Sequence, residues 1–435
     1  MENKEKITRI AFVFAETFEY FISLFVTGTM LGYLLDTVGF SDSMQGIIGT
    51  VATFTCGAQL FAIFLSEKRV KTVCTVGNVI NQLSFIILYM FPIFNLPSTV
   101  KTALLVILLI LGHLINNAVR PSKITMYMDS VPTEKRGSFT AVKEMISLAG
   151  GIAVSLIMGR IADIYRDTNG LPTKEYYVIC AIALLIMTLI HTLSVAVATE
   201  KPKEKTKKVP FKDVIFRISK NKNFIKVVGV SLIWNAASAF SLSFYASYLR
   251  EELAFSFTVI AILTTVSAVA RILASPILGR IADKYSFQRS MTISFFLAGL
   301  GFLAMVFTAP KTKWLYIAYA CFYGFSMAGI NSGVINFVYD YVDHRDRATA
   351  MGVNSALGGI LAFFIALLSG VLMSAIQDNG GFNFFGISLY AQQVLSFLSA
   401  FAVILLIIYM RFVIKPLKRV EKIEKASENN EAITK

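Results

Sequence analysis

Twelve long apolar segments constrain this chain more than any other feature of its sequence. A helix that crosses a bilayer needs about 20 mostly apolar residues, because its backbone groups must form their hydrogen bonds within the helix. Segments of that length lie at about 10–33, 43–65, 72–93, 103–128, 138–163, 177–198, 224–248, 257–281, 289–309, 314–340, 348–376 and 388–414. The sequence therefore predicts an all-α membrane protein with twelve transmembrane helices.

Composition leaves little room for anything else. Of the 435 residues, 55% are hydrophobic and only 16% are charged, whereas about 25% of the residues of a soluble domain are charged. Each of the twelve helices with its loop has about 36 residues, which leaves none for a sizeable soluble domain. These values argue against a large soluble enzyme and against a disordered chain.

The basic residues indicate how the chain crosses the membrane. The net charge is +14, and 31 of the 41 lysines and arginines fall on one face of the predicted topology, against seven on the other. The 31 include Lys123 and Lys143, assigned to the connection between the fourth and fifth segments. Because basic residues collect on the cytoplasmic side, we expect both termini in the cytoplasm and the chain in the cell membrane. The surplus positive charge then reflects topology, and no nucleic-acid partner is expected.

A basic segment between the sixth and seventh apolar segments divides the helices six and six. It carries nine positive and three negative charges and two prolines, so it cannot enter the membrane. It is either a solvated linker or a segment held against anionic lipid headgroups. The predicted parts are an N-terminal six-helix bundle at 1–199, a cytoplasmic linker at 200–222, a C-terminal six-helix bundle at 223–414 and a cytoplasmic tail at 415–435.

The two halves carry related sequences. Residues 128–136 and 339–347 share Asp, Val and Arg at a constant offset of 211, which indicates an internal repeat of six helices. A second similarity is the pentapeptide Gly-Arg-Ile-Ala-Asp, found at 159–163 and again at 279–283. These two copies fall on opposite sides of the membrane, so a parallel repeat about the membrane normal cannot relate them.

The loop that contains the second pentapeptide resembles the signature loop of the major facilitator superfamily, roughly Gly-x-x-x-Asp-Arg/Lys-x-Gly-x-Arg. Gly279, Asp283, Lys284 and Arg289 match it, although its inner glycine is missing, and the corresponding loop at 64–71 lacks both Gly and Asp. The resemblance implies two pseudo-symmetric six-helix bundles that rock about a central site. It also implies that the first, fourth, seventh and tenth helices line the central cavity.

Ionisable residues inside predicted spans are costly and therefore indicate function. Glu16 and Glu19 on the first helix lie at a depth similar to that of Arg120 on the fourth, and we expect one of them to pair with Arg120. Burial favours a protonated carboxyl and a nearby cation favours a carboxylate, so switching between them would carry a proton. The alternative is a static ion pair that joins the two helices.

Polar and aromatic residues on the four cavity-lining helices are candidates for substrate binding. Aromatic faces with amides suit a sugar-like solute, whereas helix packing is the alternative role for each residue. The candidates are Tyr20, Ser23, His113, Asn116, Asn117, Arg120, Trp234, Asn235, Tyr323 and Asn331.

A further set of residues is predicted to gate the cavity. Glu144 and Arg271 would form an ion pair across the two halves, and Asp283 would accept hydrogen bonds at the N-terminal end of the fifth helix. The complete set is Glu144, Arg271, Gly279, Asp283, Arg136 and Arg347.

Together these features predict a secondary active transporter, a proton-coupled symporter that moves a small polar solute, sugar-like or an organic ion, by alternating access. Its partners would be the solute, protons and the lipid bilayer, and we expect a monomer. The alternatives are a proton-driven exporter of amphiphilic compounds and a transporter-like solute receptor. The fifth helix lacks the proline of many exporters of the superfamily at 148–152. The sequence shows no nucleophile–base set, metal spacing or phosphate loop, so neither an enzyme nor a cofactor is expected.

Overall fold

A computed structural model describes residues 2–61, 70–94, 96–128, 130–131, 136–168, 170–200, 216–217, 219–341, 347–384 and 387–417. Most of the predicted linker and tail therefore lies outside the described residues. The first half contains α1 (Glu2–Phe25), α2 (Gly28–Val38), α3 (Asp42–Gly49), α4 (Val51–Phe54), a 3-10 helix (Thr55–Phe61), α5 (Val70–Met90), α6 (Ser98–Met128), α7 (Arg136–Ile164) and α8 (Lys174–Val197).

The second half is helical in the same way. It contains α9 (Lys222–Ser241), α10 (Tyr245–Arg250), α11 (Phe257–Lys284), α12 (Phe287–Val306), α13 (Leu315–Tyr341), α14 (Arg347–Asp378) and α15 (Ala391–Tyr409). A two-stranded antiparallel hairpin, β1 (Phe382–Phe384) and β2 (Ile387–Leu389), precedes α15. The sequence analysis did not predict this hairpin, because six residues in a loop carry no strand periodicity.

As far as the structure describes them, the twelve apolar segments lie mainly on helical backbone, which confirms the all-α membrane fold. Within the described residues, ten helices are long and apolar enough to cross a membrane by length and composition. The second segment is instead broken into α3, α4 and the 3-10 helix, and the tenth corresponds to α13. The first segment is interrupted between α1 and α2, where Gly28 has a φ of +57°, a left-handed conformation that glycine adopts without strain.

The chain forms two compact units. Unit 1 comprises residues 1–204, 242–265 and 366–375, and unit 2 comprises 205–241, 266–365 and 376–435. Unit 1 therefore contains segments from both halves of the sequence. The predicted bundle boundaries on either side of the linker remain a prediction.

The core of unit 1 is built around aromatic side chains at the interruption between α1 and α2. Tyr89, Tyr176 and Tyr177 are completely buried there. The Tyr89 hydroxyl donates to the Phe25 carbonyl at 2.6 Å and lies 3.2 Å from the Met30 carbonyl. The Phe25 carbonyl stands at the end of α1, where its helical partner is lost, so the tyrosine satisfies a group that would otherwise be buried without a hydrogen bond.

Unit 2 depends on close packing of small residues. A Cβ atom at Gly324 would collide with the Ser267 carbonyl of α11, and one at Gly333 would collide with the Met291 side chain of α12. The absence of a side chain at these glycines lets the helices approach closely. Ser241 on α9 and Ser399 on α15 share a buried hydrogen bond of 2.7 Å.

Candidate functional site

A cluster of buried charges lies inside unit 1. Helix α1 supplies Glu16 and Glu19, one turn apart on the same side of the helix. Lys123 of α6 donates to Glu19 and lies 3.9 Å from Glu16, while Lys143 of α7 lies 3.1 Å from Glu16. Lys123 is completely buried and Glu16 is only 8% exposed. Three helices are thus joined by two carboxyl and two amino side chains, and such pairing compensates the cost of burying charge.

The cluster is extended by a histidine and a glutamine. His191 Nε2 of α8 lies 3.9 Å from the Glu19 carboxylate, and its Nδ1 accepts a hydrogen bond from the Gln82 amide. A ring nitrogen that accepts this bond is unprotonated, so His191 adds no charge. Glu16 Oε1 is buried and has no hydrogen-bond partner among the residues that the structure describes.

The structure corrects the expected partner of the two glutamates. Lys123 and Lys143 make the direct ion pairs, and within the described residues none of these pairs involves Arg120. It also corrects the charge distribution, because both lysines lie in helices beside the glutamates and not in a cytoplasmic connection. Sequence reasoning missed them because each stands close to the end of an apolar segment. The sequence does contain a pattern that predicts an inward-facing Lys123, because this lysine extends the polar face of His113 and Arg120 by one more turn.

Among the other candidates for substrate binding in unit 1, some side chains already contact the protein and others are partly exposed to solvent. Asn117 bonds to the second apolar segment through Thr55, at 3.0 Å, and through the Ala52 carbonyl. The Ser23 hydroxyl donates to the Tyr20 carbonyl of its own helix. His113 is buried against the Phe85 ring, Tyr20 packs against Gly151, Asn116 is half-buried and Arg120 is exposed.

In unit 2 each of the candidate residues contacts a neighbouring side chain or backbone group. The Trp234 and Phe295 rings lie 5.5 Å apart, and Tyr323 stacks on Tyr319. Asn235 donates to the Ser231 carbonyl at 2.8 Å. With its amide oriented to suit its neighbours, Asn331 accepts a hydrogen bond of 2.7 Å from Arg271. The last contact joins α13 to α11.

One set of contacts within unit 1 joins residues of the two sequence halves. Arg250 of α10 pairs with Asp36 of α2 at 2.6 Å and donates to Gln45 of α3 at 3.0 Å, and Gln45 donates to Asp36. A small cavity of about 170 Å³ beside them is lined by residues that include Ser243 and Ala246. The ion pair and the two hydrogen bonds of Gln45 compensate much of their burial, although Nε and Nη1 of Arg250 have no hydrogen-bond partner among the described residues.

A second contact in unit 1 uses the first copy of the pentapeptide. Asp163, near the end of α7, accepts hydrogen bonds from the backbone N–H groups of Phe257 and Thr258, at 3.1 and 2.9 Å, and from the Thr258 hydroxyl. A carboxylate there satisfies backbone donors of the first turn of α11 and interacts favourably with the helix dipole. A Cβ atom at Gly159 would lie 2.9 Å from Ala261 and 3.1 Å from the Phe257 carbonyl. We call these two sets together the outer contact: Asp36, Gln45, Arg250, Gly159, Asp163 and Thr258.

The predicted gating residues are only partly described. Side chains of Arg136, Asp283 and Arg347 lie outside the described residues, while Glu144 belongs to unit 1 and Arg271 to unit 2, so these assignments remain predictions. A Cβ atom at Gly279 would meet no described atom within 4 Å. Sequence reasoning expected Asp283 to accept hydrogen bonds from the start of a helix, and Asp163 of the other copy makes exactly such bonds. The identity of the two pentapeptides could therefore have predicted that Asp163 accepts hydrogen bonds from the start of a helix.

The described residues include no group of three or more His, Cys, Asp or Glu side chains that could hold a metal ion. The chemistry that the site offers is thus that of charged and hydrogen-bonding side chains.

Comparisons with known proteins agree with this architecture. The sequence matches the family model of the Major Facilitator Superfamily over residues 13–247 and 227–434. The fold is similar to that of a D-xylose-proton symporter (TM-score 0.71, 14% identity, covering 93% of this chain and 96% of that one). It is also similar to the nucleoside transporter NupG (0.67, 15%, 94% and 98%) and to an inward-facing bacterial homolog of the human lysosomal transporter Spinster (0.66, 13%, 95% and 98%). No curated protein matches the sequence.

Proposed function

The chain belongs to the Major Facilitator Superfamily of transporters, and from this premise we propose that it is a proton-coupled secondary transporter that carries a small polar solute across the cell membrane by alternating access. The observation that carries the proposal is the buried carboxylate of Glu16. It lies between Lys123 and Lys143, and its Oε1 atom has no hydrogen-bond partner among the described residues. A carboxylate with a free, buried oxygen can accept a proton without first losing a hydrogen bond.

Protonation of Glu16 would change the attraction between three helices. The neutral carboxyl no longer attracts Lys143, its partner at 3.1 Å on α7, while Glu19 remains paired with Lys123 on α6. A proton on Glu16 therefore weakens its attraction to Lys143 and, at 3.9 Å, to Lys123, and leaves the pair between Glu19 and Lys123 in place. This selective change is what a coupling step requires, because a ligand shifts a conformational equilibrium only through its differential interaction with the two states.

Alternating access also requires contacts that break in one state. The outer contact fits this role, because Asp163 and Arg250 hold segments of the two sequence halves together through hydrogen bonds and one ion pair. With both termini in the cytoplasm, these residues lie at the opposite membrane face. The contact would then close the protein on that side and would have to open when solute exchanges there.

The proposal is tested with purified protein in proteoliposomes under an imposed pH gradient. A panel of small polar solutes is supplied, and solute flux and internal pH are read together. We expect at least one solute to move with protons. Glu16→Gln should remove the pH dependence of flux, because the amide takes up no proton, while solute exchange without a gradient persists. Glu175→Gln, which neutralises an exposed carboxylate at the start of α8, is the matched control and should behave like the unaltered protein.

Each alternative gives a different result. Flux without proton movement would remove the coupling but leave transport. Solute binding without flux would indicate a receptor. Flux that keeps its pH dependence in both Glu16→Gln and Glu19→Gln would exclude these two residues as the proton site.

A further inference from the structure

Arg120 occupies a position that the buried charge cluster does not explain. It lies eight residues before the end of α6, which corresponds to about 12 Å along the helix axis. Leu111, about 180° around the helix from Arg120, is exposed, as are Ile107 and Leu114. That apolar face suits lipid, so Arg120 faces the other way. Its electrostatic neighbours are Glu16, Glu19 and Cys56, all of which line the interior of unit 1.

The charges of the cluster balance without Arg120. Two carboxylates, Glu16 and Glu19, are matched by two ammonium groups, Lys123 and Lys143, at ion-pair distances. His191 is neutral, as its bond to Gln82 requires. Arg120 is therefore the excess positive charge, and within the described part of the chain it takes part in no ion pair. Its side chain is exposed, whereas Lys123, one turn further along, is completely buried.

An accessible, uncompensated guanidinium at this depth selects among substrates. A neutral sugar would leave the charge unpaired in a site that has lost much of its water, which is costly. A carboxylate or phosphate would neutralise it through two parallel hydrogen bonds, the geometry that arginine prefers. Asn116, one turn earlier on the same face and half-buried, can donate a further hydrogen bond. Asn117 cannot easily do so, because its amide is already bonded to Ala52 and Thr55.

We propose that the transported solute is a small organic anion and that Arg120 binds its acidic group. This inference rests on the proposed function and specifies the substrate class of the same site. Binding of a proton and binding of an anionic solute would also favour each other. A proton on Glu16 cancels one negative charge. The net charge of the cluster together with Arg120 then changes from +1 to +2, which attracts an anion more strongly.

The charged and titratable groups around Glu16 belong to four helices. Arg120, Lys123 and Tyr127 of α6 and Lys143 of α7 act on Glu16 directly, while Glu19 of α1 and His191 of α8 complete the cluster.

The test is a binding panel on the full-length protein in detergent, with compounds in matched sets that share a scaffold. Glucose is compared with gluconate and with glucose 6-phosphate, and uridine with uridine monophosphate, by thermal stabilisation and titration. We expect an anionic member of a set to bind and its neutral member not to bind. The carboxylate and phosphate arms show which acid is preferred. Arg120→Gln should weaken binding of the anion by about tenfold or more, and Arg120→Lys should weaken it less.

Arg411→Gln, which removes an exposed arginine after α15, is the matched control and should bind like the unaltered protein. Arg120→Gln protein that keeps its thermal stability without ligand shows that the loss is specific to binding. Preferential binding of a neutral member, binding of no anion, or equal binding of the anion by Arg120→Gln would overturn the inference. A neutral solute that moves with protons would leave the proposed function intact, whereas an anion that binds to Arg120 and moves without protons would remove only the coupling.

Discussion

At the scale of single residues, Lys123 is the side chain on which the buried charge cluster depends. It is completely buried and pairs with both Glu19 and Glu16. Lys123→Met should lower the free energy of unfolding by about 3–5 kcal/mol, because removing one partner leaves buried carboxylates without compensation. Unfolding in detergent, followed by the temperature or denaturant midpoint, measures the loss.

A double variant tests the physical reason for that loss. Glu19→Gln in the Lys123→Met protein removes one of the unpaired charges, so it should restore part of the stability. Lys143→Met should cost less than Lys123→Met, because Lys143 is 17% exposed and Glu16 keeps its second lysine. A double variant no more stable than Lys123→Met alone would show that lost packing, and not unpaired charge, causes the effect.

The burial of the two glutamates was predictable from the sequence, whereas their ion-pair partners were not. Glu16 and Glu19 stand within a long apolar segment, so their burial was predictable from hydropathy alone. Lys123 and Lys143 lie near segment ends, where a long lysine can reach either the interior or the membrane surface. Which of the two occurs depends on the helices that pack alongside, and a single sequence does not specify that packing.

At the scale of elements, the bond between α7 and α11 can be tested through Asp163. Asp163→Asn keeps the size of the side chain but loses the charge that favours the start of α11, so the outer contact should weaken by about 1 kcal/mol. If this contact closes one side of the transporter, the open population on that side should rise severalfold. Ser243→Cys, beside the cavity near Arg250, reports opening by its rate of labelling with a membrane-impermeant maleimide.

The labelling experiment has a matched control in the same region. Asp167 also accepts a backbone hydrogen bond, from Leu171 at 2.8 Å, but within its own loop. Asp167→Asn should leave the labelling rate of the introduced cysteine unchanged. Cys56 and Cys321, the two native cysteines that are not fully buried, are replaced by serine in every protein compared. Equal labelling rates in the Asp163→Asn and unaltered proteins would contradict a gating role for the outer contact.

Elements were predicted more completely than the contacts between them. Length and hydropathy located all twelve segments, because a bilayer imposes both. The break of the second segment into α3, α4 and a 3-10 helix was not predicted, since nothing in its hydropathy differs from that of a continuous span. The pentapeptide at 159–163 was visible, but only the structure shows that its aspartate accepts hydrogen bonds from the start of α11.

At the scale of the whole molecule, the two compact units do not coincide with the two halves of the sequence. The sequence repeat and the basic linker divide it into halves, whereas residues 242–265 and 366–375 of the second half belong to unit 1. The outer contact accounts for the first of these segments, because Arg250 and Thr258 bond to Asp36 and Asp163. A protein that alternates between two states must exchange such contacts, so this division describes one state of the proposed cycle.

Acid outside the membrane should favour that state through Glu251, which follows α10. Partial burial, together with repulsion from Asp42 and Asp36, raises the pKa of Glu251 to about 8, although Arg250 opposes the shift. Burial and Asp42 also raise the pKa of the adjacent Glu252. Opening would separate Glu251 from these groups and return its pKa towards the ordinary 4.5. The closed state therefore binds more protons between about 4.5 and 8, so its stability falls as the pH rises through that window and changes no further above it.

The labelling rate of the Ser243→Cys protein should accordingly rise as external pH increases from about 5 to about 8. Because the reactivity of a thiol also increases with pH, the informative quantity is the ratio to the same protein carrying Glu251→Gln. That glutamine keeps a hydrogen-bonding side chain beside Asp42 and cannot titrate, so the ratio should climb across the window. A ratio that stays constant with pH would show that Glu251 keeps the same surroundings in both states, and would exclude it as the group that makes opening depend on pH.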